Sequence, residues 1–159
     1  MIYKKGNLRQ VEGEMLSYRI NILGLIETRW VDYGEIVTKE RGMLLYSGRS
    51  GNRIEHKFGV GILISEVTRK NLIDWRPIFD RLITACFKAS IRNISIIKCY
   101  EPTEPSEEEL KDDFYCTLKE TLCSVLKRDI VIIMGDMNAK VGSDNEGREH
   151  IREFTVLDK

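Results

Sequence analysis

The sequence predicts an α/β (α+β) chain, a mixed β-sandwich flanked by helices. Three observations predict it. Two short apolar runs, Asn21-Ile22-Leu23-Gly24-Leu25-Ile26 and Ile130-Val131-Ile132-Ile133-Met134, each follow a helical pattern, and each leads to an acid, Glu27 and Asp136. Between them, Leu82 to Tyr100 alternates apolar and polar residues around a turn at Ser90-Ile91-Arg92-Asn93. Alternation marks a hairpin with one buried face, whereas an unbroken apolar run marks a strand buried on both. Helix–strand units at the ends with antiparallel strands between them give a mixed sheet.

The first helix is expected from Asn7, with Gln10 three residues on as a capping box. Leu8, Val11, Met15 and Tyr18 follow at helical spacing. After the strand that ends at Glu27, residues 31–41 are polar and read as a surface loop. Met43-Leu44-Leu45-Tyr46 and Gly59-Val60-Gly61-Ile62-Leu63-Ile64 read as strands. The two glycines of the latter lack the third glycine and helix start of a dinucleotide fingerprint, so they read as sites of close backbone packing. The polar link from Gly48 to Lys57 holds Arg49, Arg53, His56 and Lys57. It is a candidate phosphate-contacting loop, or simply a solvated hairpin tip.

Tyr100 ends the second hairpin strand, and Pro102 stops the ladder. Ser106-Glu107-Glu108-Glu109 is a capping box that also suits the helix dipole. Leu110, Phe114, Leu118, Leu122 and Val125 then form one apolar stripe, with Lys127 and Arg128 expected to close the helix. That helix leads into the strand at 130–134, and Gly135 and Gly142 bracket a loop.

Composition sets the limits. A chain of 159 residues with 42% hydrophobic content is the size of one packed domain. Lys+Arg and Asp+Glu are both 25, so no overall basic charge argues for a nucleic-acid partner, although a local patch suffices. No apolar run approaches the ~20 residues of a membrane span. The start, Met1 to Gly6, has no apolar core after its lysines, so the expected location is intracellular, nuclear or cytoplasmic, rather than secreted. The cysteines at 86, 99, 116 and 123 form no CxxC pair, so structural zinc is not expected and the thiols read as reduced and mostly buried.

The chemistry collects at strand ends. Asp136 and Asn138 are two apart, so in an extended chain they leave on one side. The same pair also makes an Asx-type turn. Were the strands neighbours of like polarity, Glu27 and Asp136 would meet at one edge, and two carboxylates close together call for a cation. Magnesium suits them: it takes one or two carboxylates, keeps water, and completes its shell with substrate phosphate oxygens. Tyr100 is placed to donate to the phosphate, and Asn138 to orient water or a phosphate oxygen.

The blocks Leu23-Gly24-Leu25-Ile26-Glu27-Thr28-Arg29-Trp30, Gly59 to Ser65, Tyr100-Glu101-Pro102-Thr103 and Gly135-Asp136-Met137-Asn138-Ala139-Lys140-Val141-Gly142 occur in the order of the endonuclease/exonuclease/phosphatase superfamily. The wording resembles most closely the endonuclease domains of LINE-type (non-LTR) retrotransposons and the related craniofacial development protein 2-like sequences of animal genomes. The resemblance covers about residues 5–148 and leaves 149–159 as a divergent tail. It implies phosphodiester cleavage of DNA with a divalent ion, magnesium or manganese. Position by position, Glu27 resembles the metal-binding glutamate and Tyr100 the tyrosine at the scissile phosphate. Asp136 resembles the aspartate that positions or activates the water and shares in metal binding, and Asn138 its partner.

The resemblance also carries departures. The family's first strand with its asparagine, and a later aspartate with a Ser-Asp-His block, have no counterpart here; neither His56 nor His150 sits in such a motif. The expectation is a domain cut at both ends, whose exposed sheet edge is a site for self-association. An inactive remnant acting as a binding module, and a small-molecule phosphoesterase, stand as the alternatives. Glu101 and Glu104 would weaken DNA binding if they faced the phosphate.

Overall fold

The computed structural model describes residues 5–49, 58–102 and 108–136. In chain order these form α1 (Lys5–Ser17), β1 (Ile22–Ile26), β2 (Tyr33–Val37), β3 (Met43–Ser47), β4 (Val60–Ile64), α2 (Glu66–Arg69), β5 (Leu72–Phe79), β6 (Leu82–Phe87), β7 (Ile94–Tyr100), α3 (Glu108–Ser124) and β8 (Ile130–Asp136). They build two four-stranded sheets, ordered β1-β4-β3-β2 and β5-β6-β7-β8. The first is antiparallel throughout, and the second is antiparallel except for β7–β8.

The period of two along each strand decides which residues go where. Leu45, Val60, Ile62 and Ile64 from the first sheet meet Ile83, Ala85, Phe87, Ile96 and Tyr100 from the second to form the buried interior. The opposite faces carry the helices. Leu8 and Met15 of α1 pack on Leu25, Leu44 and Leu63, while Phe114 and Leu118 of α3 pack on Leu82, Ile97 and Cys99. No described helix is long and apolar enough to cross a membrane.

Several expectations are corrected. α1 already begins at Lys5, so Asn7 lies inside its first turn rather than at its cap. The helix ends in a Schellman motif: Arg19 takes φ 55°, its N–H donates to Leu16 O, and Ile20 N–H donates to Met15 O. Tyr18 therefore falls beyond the helix and is exposed. Residues 33–37, read as loop, form β2; its side chains face solvent, so backbone pairing to β3 holds a strand without an apolar signature. No element was expected over 66–81, yet α2 and β5 lie there. β5 is an edge strand carrying Pro77, and its register shifts twice, which scrambles the alternation.

The hairpin of β6 and β7 is present, but β7 is buried on both faces rather than one, because α3 covers its outer side. β8 shows the reverse. Val131 and Ile133 lie under α3, yet Ile130 and Ile132 on the other face are exposed by 48% and 42%. Among the described residues β8 is hydrogen-bonded on one side only, to β7. α3 stops at Ser124, short of Lys127 and Arg128. The capping residues Ser106 and Glu107 lie outside the described residues. Gly135 is not loop but strand: it sits opposite Cys99, and a Cβ there would come 2.4 Å from Cys99 O.

Two outcomes follow for stability and reactivity. Gly135→Ala forces that contact open, and urea unfolding is expected to show a loss of about 1–3 kcal/mol. Burial pushes the Cys99 thiol up to about 11, with Lys98 opposing. Its protonated form therefore contributes stability fully below the unfolded value of ~8.5 and loses it as pH rises toward the folded one. At mildly alkaline pH a thiol reagent should label exposed Cys116 and Cys123 at once, and Cys99 only on unfolding.

Candidate functional site

The ends of β1, β7 and β8 converge at one edge of the sandwich. β7 and β8 run parallel in register from Ile94↔Ile130 to Tyr100↔Asp136, so the last pair of the ladder is the tyrosine beside the aspartate. From the facing sheet, Glu27 follows the last residue of β1. The Tyr100 hydroxyl donates to Glu27 Oε1 at 3.0 Å, joining positions 73 residues apart in the chain. Glu27, Tyr100 and Asp136 are thus brought together. Asn138 lies outside the described residues, as do His56, His150 and Glu104.

The backbone under Glu27 is held in an uncommon conformation. Glu27 and Arg29 take φ of 50° and 56°, in the left-handed region that L-residues enter at a cost. Thr28 between them is fully buried. Its N–H donates to Gly59 O, and Arg29 N–H donates to Phe58 O, tying the segment to the start of β4. Gly59 has φ 95°, and a Cβ there would lie 2.5 Å from Thr28 Oγ1. The glycine read as a packing position is required both by that approach and by its dihedral.

The electrostatics of the three residues are linked. Burial, then the hydrogen bond to Glu27 and its charge, raise Tyr100 above the usual phenol range; Asp136 adds to this and Arg81 opposes it. Tyr100 is therefore a neutral hydrogen-bond donor that feels two carboxylates at once. That donor set fits a hard divalent cation, which takes one or two carboxylates and water. Among the described residues no group of three or more His, Cys, Asp or Glu is gathered for a metal, so Glu27 and Asp136 make a sparse pair.

Two residues at the site were not expected from sequence. Arg81 lies in the β5–β6 turn with its guanidinium 3.7 Å from the Phe58 ring centroid and 5.1 Å from that of Tyr100. Its Nη1 also donates to Tyr100 O and Glu101 O, each at 3.4 Å. It braces the end of β7 and forms one wall of a cleft of about 510 Å³ with Phe58, Phe79, Asp80 and Pro102. Burial raises the Asp80 carboxyl against the pull of Arg81 and Arg49. A single arginine after an aspartate carries no sequence signal for any of this.

The second is Lys98, on the interior face of β7 two residues before Tyr100. It is 5% exposed, and its stem fills the space left by Gly24 of β1, where a Cβ would be 2.8 Å from Lys98 Cδ. Desolvation lowers its pKa, while Cys99 and Asp136 raise it. A lysine inside Ile96-Ile97-Lys98-Cys99 was the available signal, since an unpaired lysine is rarely buried. Glu101 does not face the site. It is buried, and one carboxylate oxygen accepts from Tyr115 Oη of α3 at 2.5 Å. The basic link at 50–57 lies outside the described residues, so only Arg49 of its expected phosphate contacts is placed, beside Asp80.

Known proteins share this architecture. A humanised D. rerio TDP2 superposes with a TM-score of 0.58 at 13% identity, covering 84% of this chain and 58% of its own. D. rerio TDP2 complexed with a single-strand DNA product gives 0.56 at 13%, covering 83% and 53%. The human nocturnin catalytic domain with a bound sulfate anion gives 0.53 at 16%, covering 82% and 55%. What the chain shares with these structures is the fold, two mixed or antiparallel sheets with flanking helices. In sequence, the chain is 33% identical over 138 residues to craniofacial development protein 2 of Bos taurus and 32% identical to that of Tragulus javanicus. Those 138 residues are 87% of this chain and 23% of each relative, so the chain spans under a quarter of their length. No protein-family model matches.

Tyr100→Phe removes the bond that joins the two sheets at this edge. Denaturant titration is expected to show a loss of about 0.5–1.5 kcal/mol. A loss no larger in Glu27→Gln/Tyr100→Phe than in the tyrosine variant alone would confirm that the pair acts as one.

Proposed function

We propose that the chain carries a divalent-metal-dependent phosphodiesterase site acting on DNA, related to the endonuclease domains of LINE-type retrotransposons. One observation carries this reading: Tyr100, in register with Asp136, also donates to Glu27 across the sandwich. The site motifs and the likeness to a TDP2 crystallised with a single-strand DNA product support nucleic acid as the substrate class.

Glu27 and Asp136 are the residues to hold magnesium or manganese, which would supply positive charge to a phosphoryl oxygen. Tyr100 stays protonated across the physiological range, so its hydroxyl can donate either to Glu27, as here, or to a phosphate oxygen of the substrate. Asp136, exposed at the end of β8, is placed to orient a water and accept its proton. Asn138 is assigned the steadying of that water or of the phosphate. Arg81 holds the carbonyl end of β7 still and so fixes where the Tyr100 ring lies. Glu27, Tyr100 and Asp136 are gathered at one edge before substrate arrives, which lessens the reorganisation that reaction needs.

Supercoiled plasmid incubated with the chain and magnesium is expected to be nicked, and nicking should fall by at least about a hundredfold in Asp136→Ala and Glu27→Gln. Activity equal to the Asp136→Ala background overturns the catalytic reading and leaves a binding module. Faster turnover of inositol phosphates than of DNA would move the substrate to small phosphoesters.

A further inference from the structure

Lys98 is a buried lysine on the interior face of β7. The residue is 5% exposed, and its stem runs through the sandwich between Gly24 and Met134: the Cβ position of Gly24 lies 2.8 Å from Lys98 Cδ, 3.1 Å from Cε and 3.3 Å from Met134 Sδ. Burying a lysine costs stability unless an opposite charge repays part of it. Its row on the interior face continues through Tyr100, and the adjacent row of β8 runs Met134 to Asp136. Burial is the largest influence on Lys98 and disfavours its charge; Cys99 and then Asp136 oppose that, and Asp136 is the one carboxylate among the described residues that does so. On the facing strand, Gly24 stands three residues before Glu27. A Cβ at position 24 would make the lysine stem shift.

We infer that Lys98 is a built-in counter-cation for Asp136, a positioning residue that holds this carboxylate at the strand end beside Glu27 and sets how tightly a divalent ion is taken up. The inference rests on the metal-site reading above. A positive charge on the same strand row as Asp136 offsets part of the repulsion between Asp136 and Glu27, so the edge stays assembled without an ion. The same charge repels an incoming dication. The site is thereby weak for metal and kept for an ion that arrives with phosphate, whose oxygens complete its shell.

Manganese binding by the 159-residue chain, followed by electron paramagnetic resonance without DNA, tests this. Lys98→Met and Lys98→Gln are expected to bind Mn2+ more tightly than the parent, on the order of tenfold, and Lys98→Arg to bind as the parent does. A packing role alone would loosen binding in all three. Gly24→Ala keeps the charge and disturbs the same packing, so it should lower the melting temperature with no gain in Mn2+ affinity. Circular dichroism melts identify a variant that has not folded, and Lys98→Gln is then read in place of Lys98→Met. Equal or weaker Mn2+ binding in folded Lys98→Met and Lys98→Gln overturns the counter-cation role while leaving the metal site standing. No Mn2+ binding by parent or variants overturns the metal site and the inference with it.

Discussion

The parallel register of β7 and β8 is the constraint on which the site depends. Parallel neighbours cannot be joined by a tight turn, so the chain must leave the sheet and return by a crossover. α3 is that crossover, and its Phe114 and Leu118 bury the outer face of the strands it connects. The pairing then aligns Ile94 with Ile130 and, six residues on, Tyr100 with Asp136. A slip of β8 by one residue would turn Asp136 to the helix side, away from Tyr100 and Lys98. Gly135 opposes that slip as well as permitting the pairing, because only a residue without Cβ can lie against Cys99 O. Register, helix and glycine thus specify one geometry at the strand end.

Much of this was legible because burial imprints a period on sequence. β1, β3, β4, β6, β7 and β8 coincide with apolar runs or alternation, and α1 and α3 with 3.6-residue stripes. β2 and β5 were not legible, and for one reason. They are edge strands held by backbone bonds, with exposed side chains such as Tyr33, Val37, Ile73 and Phe79, so nothing selects an alternating pattern. The misjudged burial of β7 and β8 has the complementary cause. A run of apolar residues reports that a strand is buried somewhere, but the depth on each face depends on what packs there, and that is a property of the whole sandwich.

At the site, the residues that end strands were visible and those that reach in from the side were not. Glu27, Tyr100 and Asp136 each close an apolar run, so they announce themselves. Arg81 is placed by a hairpin turn and a stack on Phe58, neither of which leaves a pattern in sequence. Glu101 shows the converse. Adjacent to Tyr100, it read as unwelcome charge at a phosphate site, yet the alternation of a strand sends it to the opposite side, where Tyr115 takes it up.

The wall around Glu27 argues that the edge is rigid rather than shaped by a ligand. Two left-handed residues flank buried Thr28, and strain of that kind persists only where surroundings over-determine it. Here they do: two backbone bonds to Phe58 and Gly59, the cavity that Gly59 leaves for Thr28, and the hydrogen bond from Tyr100 all act on three consecutive positions. Arg81 then ties Phe58 to the far end of β7. The ends of β1 and β7 are consequently fixed to the other sheet or to a brace that spans both. With Glu27 tied to Tyr100, a cation at the strand ends relieves the repulsion between Glu27 and Asp136. Lys98, threaded through the gap at Gly24, provides one from within the fold.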